Sequence, residues 1–257
     1  LPKRMLVLGG GPIGCELAQS FNRFGSETTL VEMGPSIMGR EDEDVAAAIT
    51  EKFKSEGMNL LTNHKAVSFH EVNGEKHLMC ETAEGSKKIP FDEVLIAIGR
   101  KANVTGFGLE ELGVKIAANG TIQADPFLRT NFSNIFVCGD VTGPFQFTHT
   151  AAHQAYYATV NSLFKPFVKF KADYSVIPWA TYTDPEVATV GLTEKAAKAA
   201  GVKYDLTSHN LEHLDRALTD GKNTGFLKVL TKPGTDKILG ATIVAPNASE
   251  LIYEYIL

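Results

Sequence analysis

The fold is decided near the start of the chain, by the stretch Lys3-Arg4-Met5-Leu6-Val7-Leu8-Gly9-Gly10-Gly11-Pro12-Ile13-Gly14-Cys15-Glu16. Its apolar run predicts a buried strand, and a glycine turn and the start of a helix follow. Gly9, Gly11 and Gly14 have the G-x-G-x-x-G spacing of a dinucleotide-binding turn. In that order, these glycines allow a sharp turn, the close approach of a pyrophosphate, and close packing of the helix on the sheet.

The segments after the turn support the same interpretation. The helix start, at Pro12 and Ile13, would direct the backbone N–H groups that follow Pro12 and a partial positive charge towards phosphates. A second strand ends in Glu32, close to the roughly 20-residue distance expected of an acid that binds the adenosine ribose. Such an acid opposes a 2′-phosphate, so we predict NADH rather than NADPH; Arg40 is the nearest basic residue. The alternative is a glycine-rich turn that binds nothing.

Composition and charge narrow the class of protein. The chain has 257 residues, of which 44% are hydrophobic, enough for one large domain or two ordinary ones. A net charge of −5 argues against nucleic acid or an anionic membrane as the main partner. No apolar run approaches the roughly 20 residues of a membrane span and no secretory leader is visible, so we expect a cytoplasmic protein. A start at Leu1 and the apolar run 252–257 predict a piece of a longer chain.

The cysteines and the acidic residues do not indicate a metal site. Cys15, Cys80 and Cys138 are scattered along the chain and predict reduced thiols, with Cys15 and Cys138 buried in apolar surroundings. The run Glu41-Asp42-Glu43-Asp44 precedes an amphipathic helix, where acids complement the helix dipole. We therefore predict no bound metal.

The segment 65–91 differs from the strands before it. Its short, alternating apolar segments are separated by Asn-Gly and Glu-Gly turns and predict a small antiparallel meander. His64, His70 and His77 are irregularly spaced here, and we expect them on the surface.

Two later apolar runs end in glycine. The first reaches Gly99 and Arg100, and ligands lie beyond the carboxyl ends of strands in open α/β sheets, so we expect Gly99 beside the dinucleotide. The second, at 135–138, predicts a strand that runs into Gly139 and Asp140 and offers a carboxylate at a ligand edge. Three further features are predicted downstream: a helix at 149–164, a domain boundary at 165–171 and a hairpin at 225–244.

Several motifs follow one another in a fixed order along nearly the whole chain. They lie at 7–32, 94–100, 130–140, 184–191 and 225–250. In this order they resemble the FAD-dependent pyridine nucleotide-disulfide oxidoreductases, the family of dihydrolipoamide dehydrogenase and mercuric reductase. The resemblance implies an α/β fold: a Rossmann-like nicotinamide-nucleotide domain with a meander, part of a FAD domain, and a truncated α+β dimerisation domain.

The resemblance also implies FAD and NAD as cofactors and gives roles to individual residues. Asp140 would bind the ribityl chain of the flavin, and the helix start at Thr148 and His149 would direct its N–H groups at the isoalloxazine. Gly139 and Arg100 belong to the matching motifs. Glu16 would lie near the nicotinamide and pair with a lysine beside flavin N5; otherwise it is a solvated acid of the first helical turn.

The chain departs from the family pattern at three places. It lacks a first flavin half-domain with its C-x-x-x-x-C disulfide, and it lacks a His-Pro-x-x-x-x-Glu stretch. Pro12 stands where the family often has an aromatic gate. We therefore expect these residues alone to be inactive and, because apolar faces would be open, to associate in solution. The full-length enzyme is expected to be a homodimer that acts in redox homeostasis on a disulfide or thiol substrate.

The resemblance divides the chain into three predicted domains: NAD-binding at 1–101, the second half of the FAD domain at 102–168, and dimerisation at 169–257. The predicted reaction is hydride transfer between NAD(H) and FAD, coupled to a dithiol and disulfide. Two alternatives stay open: a non-enzymatic NAD(H)-binding module, and a flavoprotein with a non-disulfide acceptor, similar to a transhydrogenase or diaphorase.

Overall fold

The computed structural model describes residues 1–164, 167 and 169–256. Two compact units are present: a first unit, residues 1–99 with residues from 178 onward, and a second unit, residues 100–177. The predicted boundary at 165–171 falls partly on 165, 166 and 168, outside the described residues. Within the described part of the chain, no helix is both long enough and apolar enough to cross a membrane.

A four-stranded parallel sheet begins the first unit, in the order β3-β2-β1-β7. The elements up to β7 are β1 (Arg4–Leu8), α1 (Pro12–Arg23), β2 (Glu27–Val31), α2 (Glu43–Ser55), β3 (Asn59–Leu61), β4 (Lys65–Val72), β5 (Glu75–Thr82), β6 (Gly85–Phe91) and β7 (Glu93–Ile96). Alternate residues of β1 enter two separate cores, as the two faces of a buried strand require. Met5 and Val7 pack with residues of α1 and α2, whereas Leu6 and Leu8 pack with residues of the meander.

The predicted antiparallel meander is confirmed as a three-stranded sheet in the order β4-β5-β6. The expectation of surface histidines is wrong for His64 and His77, which are 8% and 5% exposed. Each ring has a local partner for at least one of its nitrogens. The Nδ1 of His64 lies 2.7 Å from the carbonyl oxygen of Thr62, and the Nε2 of His77 lies 3.0 Å from a carboxylate oxygen of Glu75. His70 is exposed as predicted.

The second unit contains α3 (Leu109–Leu112) and α4 (Thr148–Phe164), and α4 confirms the predicted helix. The predicted strand at 135–138 is wrong. An isolated bridge between Arg129 and Phe136 is the pairing found there among the described residues. A strand needs pairing partners along its whole length, and residues 135–138 have a bridge partner at one position. Cys138 is accordingly exposed rather than buried.

A five-stranded antiparallel sheet in the order β10-β11-β12-β9-β8 completes the first unit. Its elements are β8 (Pro178–Thr181), β9 (Glu186–Gly191), α5 (Glu194–Ala199), β10 (Asp205–Asn210), α6 (Asp215–Thr219), β11 (Phe226–Thr231), β12 (Ile238–Ala245) and α7 (Ala248–Leu251). The predicted hairpin is β11 and β12. Val187 of β9 and Val244 of β12 belong to the same hydrophobic cluster as Met5 and Val7 of β1. The parallel sheet and the five-stranded sheet of the first unit therefore share a core.

Candidate functional site

The glycine turn between β1 and α1 places two of its glycines where the chain itself forbids a side chain. Gly9 has φ +108°, and a Cβ on it would lie 2.5 Å from the carbonyl oxygen of Ala97. A Cβ on Gly14 would overlap the carbonyl oxygen of Gly9. These two positions require glycine because strand, turn and helix approach one another closely there.

Gly11 differs from both. Its φ of −75° is open to any residue, and a Cβ there would meet no described atom within 4 Å. The packing of the chain therefore does not demand glycine at this position. The missing side chain instead leaves space beside the start of α1, where Pro12 and Ile13 are exposed and no side chain caps the helix. This is the geometry that a phosphate-binding helix start requires.

Glu32 lies directly beside this turn. One carboxylate oxygen accepts a hydrogen bond from the backbone N–H of Gly10 at 2.7 Å, and the other accepts one from Gly34 at 2.6 Å. The structure thus brings together the predicted turn and the predicted acid, which are 22 residues apart. Arg40, the nearest basic residue by sequence, is exposed.

Glu16 lies in α1, one turn after Pro12, and is half-buried. Its carboxylate accepts a hydrogen bond of 2.9 Å from the backbone N–H of Tyr182, in the loop after β8. Gln19, on the same side of α1, bonds both backbone groups of Asp184 at 2.8 and 2.9 Å. The described residues provide no lysine partner for Glu16, and its place near a nicotinamide stays a prediction.

Gly99 follows β7, the strand beside β1, and is exposed with φ +122°. The preceding residues lie against the turn, because the N–H of Ala97 donates to the carbonyl oxygen of Leu8 at 2.8 Å. Gly99 is therefore at the same edge of the sheet as the glycine turn.

In the second unit, the structure brings together Arg100 and Asp140. The guanidinium of Arg100 lies 3.2 Å from a carboxylate oxygen of Asp140, and both side chains are about half-exposed, at 54% and 44%. Gly139, just before Asp140, has φ +85°. An exposed carboxylate in this position can still accept hydrogen bonds from a bound ligand.

Gln154 of α4 holds the Gly139 turn, and sequence reasoning missed it. Its side chain is fully buried and accepts a hydrogen bond from the N–H of Gly139 at 2.6 Å. It also donates to the carbonyl oxygen of Gly143 at 2.6 Å. Thr148 and His149, at the start of the same helix, are exposed. The signal available in the sequence was weak, because Gln154 is one of several polar residues in α4.

The three cysteines are free thiols, as predicted. Cys15 is buried beside the turn, and burial raises the pKa of its thiol to about 12. It is therefore protonated and unreactive at neutral pH. Among the described residues, no group of three or more histidine, cysteine or acidic side chains has the arrangement of a metal site.

Two stretches of the chain match known protein families. Residues 1–155 match the family described as pyridine nucleotide-disulphide oxidoreductase, and residues 177–257 match its dimerisation domain.

Curated relatives align with nearly the whole of this chain. A dihydrolipoyl dehydrogenase of Thermus scotoductus is 37% identical over 99% of this chain and 55% of its own length. A mercuric reductase of Bacillus cereus is 35% identical over 98% of this chain and 40% of its own length. The chain therefore spans about half the length of the curated relatives it matches.

Solved structures agree in fold. LpdA of Mycobacterium tuberculosis superposes with a TM-score of 0.90 at 26% identity, covering all of this chain and 55% of that one. The HOCl-induced flavoprotein disulfide reductase RclA of Escherichia coli gives 0.86 at 28% identity, covering all of this chain and 58% of that one. The mixed α/β fold class is thus confirmed, and the chain belongs to the pyridine nucleotide-disulphide oxidoreductase family.

Proposed function

We propose that this chain is part of a flavoprotein oxidoreductase that transfers hydride between NAD(H) and FAD. The observation that carries the nucleotide part is the space beside Gly11. A side chain at Gly11 would meet no described atom, whereas a side chain at Gly9 or Gly14 would overlap the backbone. A family whose relatives are oxidoreductases supports the same reading.

NADH is the proposed nucleotide, in preference to NADPH. The carboxylate of Glu32 is oriented beside the turn by two backbone N–H groups. It can accept hydrogen bonds from ribose hydroxyls, and it would repel a 2′-phosphate.

FAD fits the groups present in the second unit. The half-exposed carboxylate of Asp140 would bind hydroxyl groups of the ribityl chain, and Gln154 holds the preceding glycine in place. The exposed start of α4, at Thr148 and His149, would place its partial positive charge near the ring system. Bound FAD would accept the hydride and, when reduced, supply electrons to a disulfide.

We propose further that the whole protein is a cytoplasmic homodimer acting on a disulfide or thiol substrate. A match to a dimerisation domain supports the dimer. The domain limits 1–101, 102–168 and 169–257 belong to this proposal, as does the inactivity of the 257 residues alone. Turnover of a disulfide substrate by the isolated chain would contradict that inactivity.

The nucleotide proposal is tested by titrating the chain with NADH and NADPH at matched salt, following the fluorescence of its one tryptophan. We expect NADPH to bind about tenfold or more weakly than NADH. Glu32→Gln should weaken NADH binding about tenfold, because a hydrogen bond to a charged group contributes about that factor to affinity. Glu27→Gln, at the exposed opposite end of β2, is the matched control and should bind as the wild type does. Equal affinity for both nucleotides would contradict the assignment of Glu32.

The flavin proposal is tested by incubating the chain with FAD, removing free FAD and recording the visible spectrum. A bound flavin spectrum that Asp140→Ala abolishes would support the assigned site. A colourless wild-type chain that binds NADH would favour a nucleotide-binding module without flavin chemistry in these residues.

A further inference from the structure

The acidic run before α2 does not act only at its own helix. Asp42 occupies the N-cap position of α2, yet its side chain makes no capping bond there. Its two carboxylate oxygens accept hydrogen bonds from the backbone N–H groups of Glu194 and Lys195 instead, at 3.2 and 2.8 Å. Asp42 therefore accepts from the first two N–H groups of α5, in addition to the N-cap Thr193, whose side chain accepts from Ala196.

Lys228, in the middle of β11, completes this contact. Its side chain is 2% exposed, and its ammonium lies 2.8 Å from Asp42, 3.0 Å from Asp44 and 2.7 Å from Glu194. A lysine ammonium has three donors, so each can serve one carboxylate. Burial alone would lower the pKa of Lys228, but the hydrogen bonds to these carboxylates outweigh it and raise the pKa, so the charge is kept. We refer to Asp42, Asp44, Glu194 and Lys228 as the acid–lysine cluster.

The segment 33–42 connects this cluster to the glycine turn. Near its end, the N–H of Glu41 donates to the carbonyl oxygen of Met38 at 2.9 Å. The N–H of Met38 in turn donates to the carbonyl oxygen of Gly10 at 2.7 Å. Gly10 thus binds Met38 through its carbonyl and Glu32 through its N–H.

Two further contacts tie the same segment to the C-terminal sheet. The ammonium of Lys195 donates to the carbonyl oxygen of Gly39. The indole N–H of Trp179, on β8, donates to a carboxylate oxygen of Glu41 at 3.0 Å. Segment 33–42 is consequently held at one end by the glycine turn and at the other by β8, α5 and β11.

We propose that Lys228 is a positioning residue for the nucleotide site. From the C-terminal sheet it anchors Asp42, and through segment 33–42 it keeps Gly10 and Glu32 in the arrangement that binds NADH. Ordering this segment before the nucleotide arrives lowers the entropy cost of binding. The inference rests on the proposed binding of NADH and adds a residue remote from the nucleotide to that site.

The test compares Lys228→Met with Lys198→Met in the same chain. Lys198 lies 3.5 Å from Glu194 but is 68% exposed, so its removal takes away a lysine near the cluster without touching segment 33–42. We expect Lys228→Met to weaken NADH binding roughly fivefold to thirtyfold and to reduce the preference over NADPH. Lys198→Met should leave both unchanged. A merely structural lysine would lower the unfolding temperature and leave the nucleotide preference of the folded protein intact.

A second variant covers the case in which Lys228→Met does not fold. Lys195→Met removes an exposed ammonium that contacts Gly39 and leaves the acid–lysine cluster in place. We expect NADH to bind about twofold to fivefold more weakly, with an unchanged unfolding temperature. If Lys228→Met folds, wild-type affinity for NADH in both variants would overturn the positioning role. If Lys228→Met does not fold, wild-type affinity in Lys195→Met would overturn it. Failure of the wild-type chain to bind NADH would instead overturn the proposed function, and this inference with it.

Discussion

Among the apolar runs of this chain that end in glycine, those that end at Gly9 and at Gly139 have different structures. The run that ends at Gly9 is a central strand with β2 on one side and β7 on the other. The run that ends at Gly139 makes one isolated bridge among the described residues and depends on Gln154 for its turn. Nearly the same local pattern therefore gives a strand only where the chain supplies neighbours to pair with it.

The largest expected effect tests the first of these turns. Gly14→Ala should lower the free energy of unfolding by about 3 kcal/mol, because its Cβ would overlap the carbonyl oxygen of Gly9. Gly11→Ala is the matched control, and it should change stability by less than about 0.5 kcal/mol while weakening NADH binding. Urea unfolding followed by tryptophan fluorescence measures both. Equal destabilisation by the two variants would contradict the distinction drawn between Gly11 and Gly14.

A smaller effect is expected at the second turn. Gly139→Ala should cost about 1–2 kcal/mol, because φ is +85° there and a side chain is strained in that region. Its Cβ would be only in ordinary contact, 3.6 Å from the Cβ of Ala151. Thermal unfolding followed by far-ultraviolet circular dichroism measures this cost. A loss as large as that of Gly14→Ala would show that the second turn is as closely packed as the first.

The buried charges of the first unit predict a pH dependence. The hydrogen bond from Lys228 lowers the pKa of Glu194 from 4.5 to about 2. The unfolded chain therefore takes up this proton before the folded protein does, and the stabilisation present above pH 4.5 is lost as the pH falls towards 2. Glu194→Gln should reduce the slope of stability against pH across that window, measured by urea unfolding at each pH. Glu212→Gln, at an exposed site in the same unit, should retain the wild-type slope.

The smallest effect concerns thiol reactivity beside the two turns. Cys15 is buried with its pKa raised to about 12, whereas Cys138 is exposed. A thiol reagent at pH 8 should therefore label Cys138 quickly, and Cys15 and the buried Cys80 only after unfolding. Mass spectrometry of the labelled peptides separates the three sites. Fast labelling of Cys15 in the folded protein would place it outside the packed core.

Local patterns were sufficient wherever an element is stabilised by its own neighbours in sequence. Periodicity and turn residues predicted the glycine turn, the acid at the end of β2, the helix α4 and the hairpin of β11 and β12. They were insufficient for burial that depends on distant partners. His64 and His77 were expected in solvent, and Cys138 in a core, because composition alone does not show which segments will cover a side chain.

By itself, the sequence determined the glycine turn, the acid beside it and the family, because these depend on residue types at short spacings. Only the tertiary structure decided what the acidic run at 41–44 does. Asp42 and Lys228 are 186 positions apart, and nothing local to either residue indicates the other. Folding of the C-terminal sheet onto the parallel sheet brings them within 2.8 Å. A buried lysine keeps its charge only when it is paired, and the carboxylates that pair with Lys228 come from the start of α2 and from α5, so the position of segment 33–42 follows from packing rather than from its own sequence.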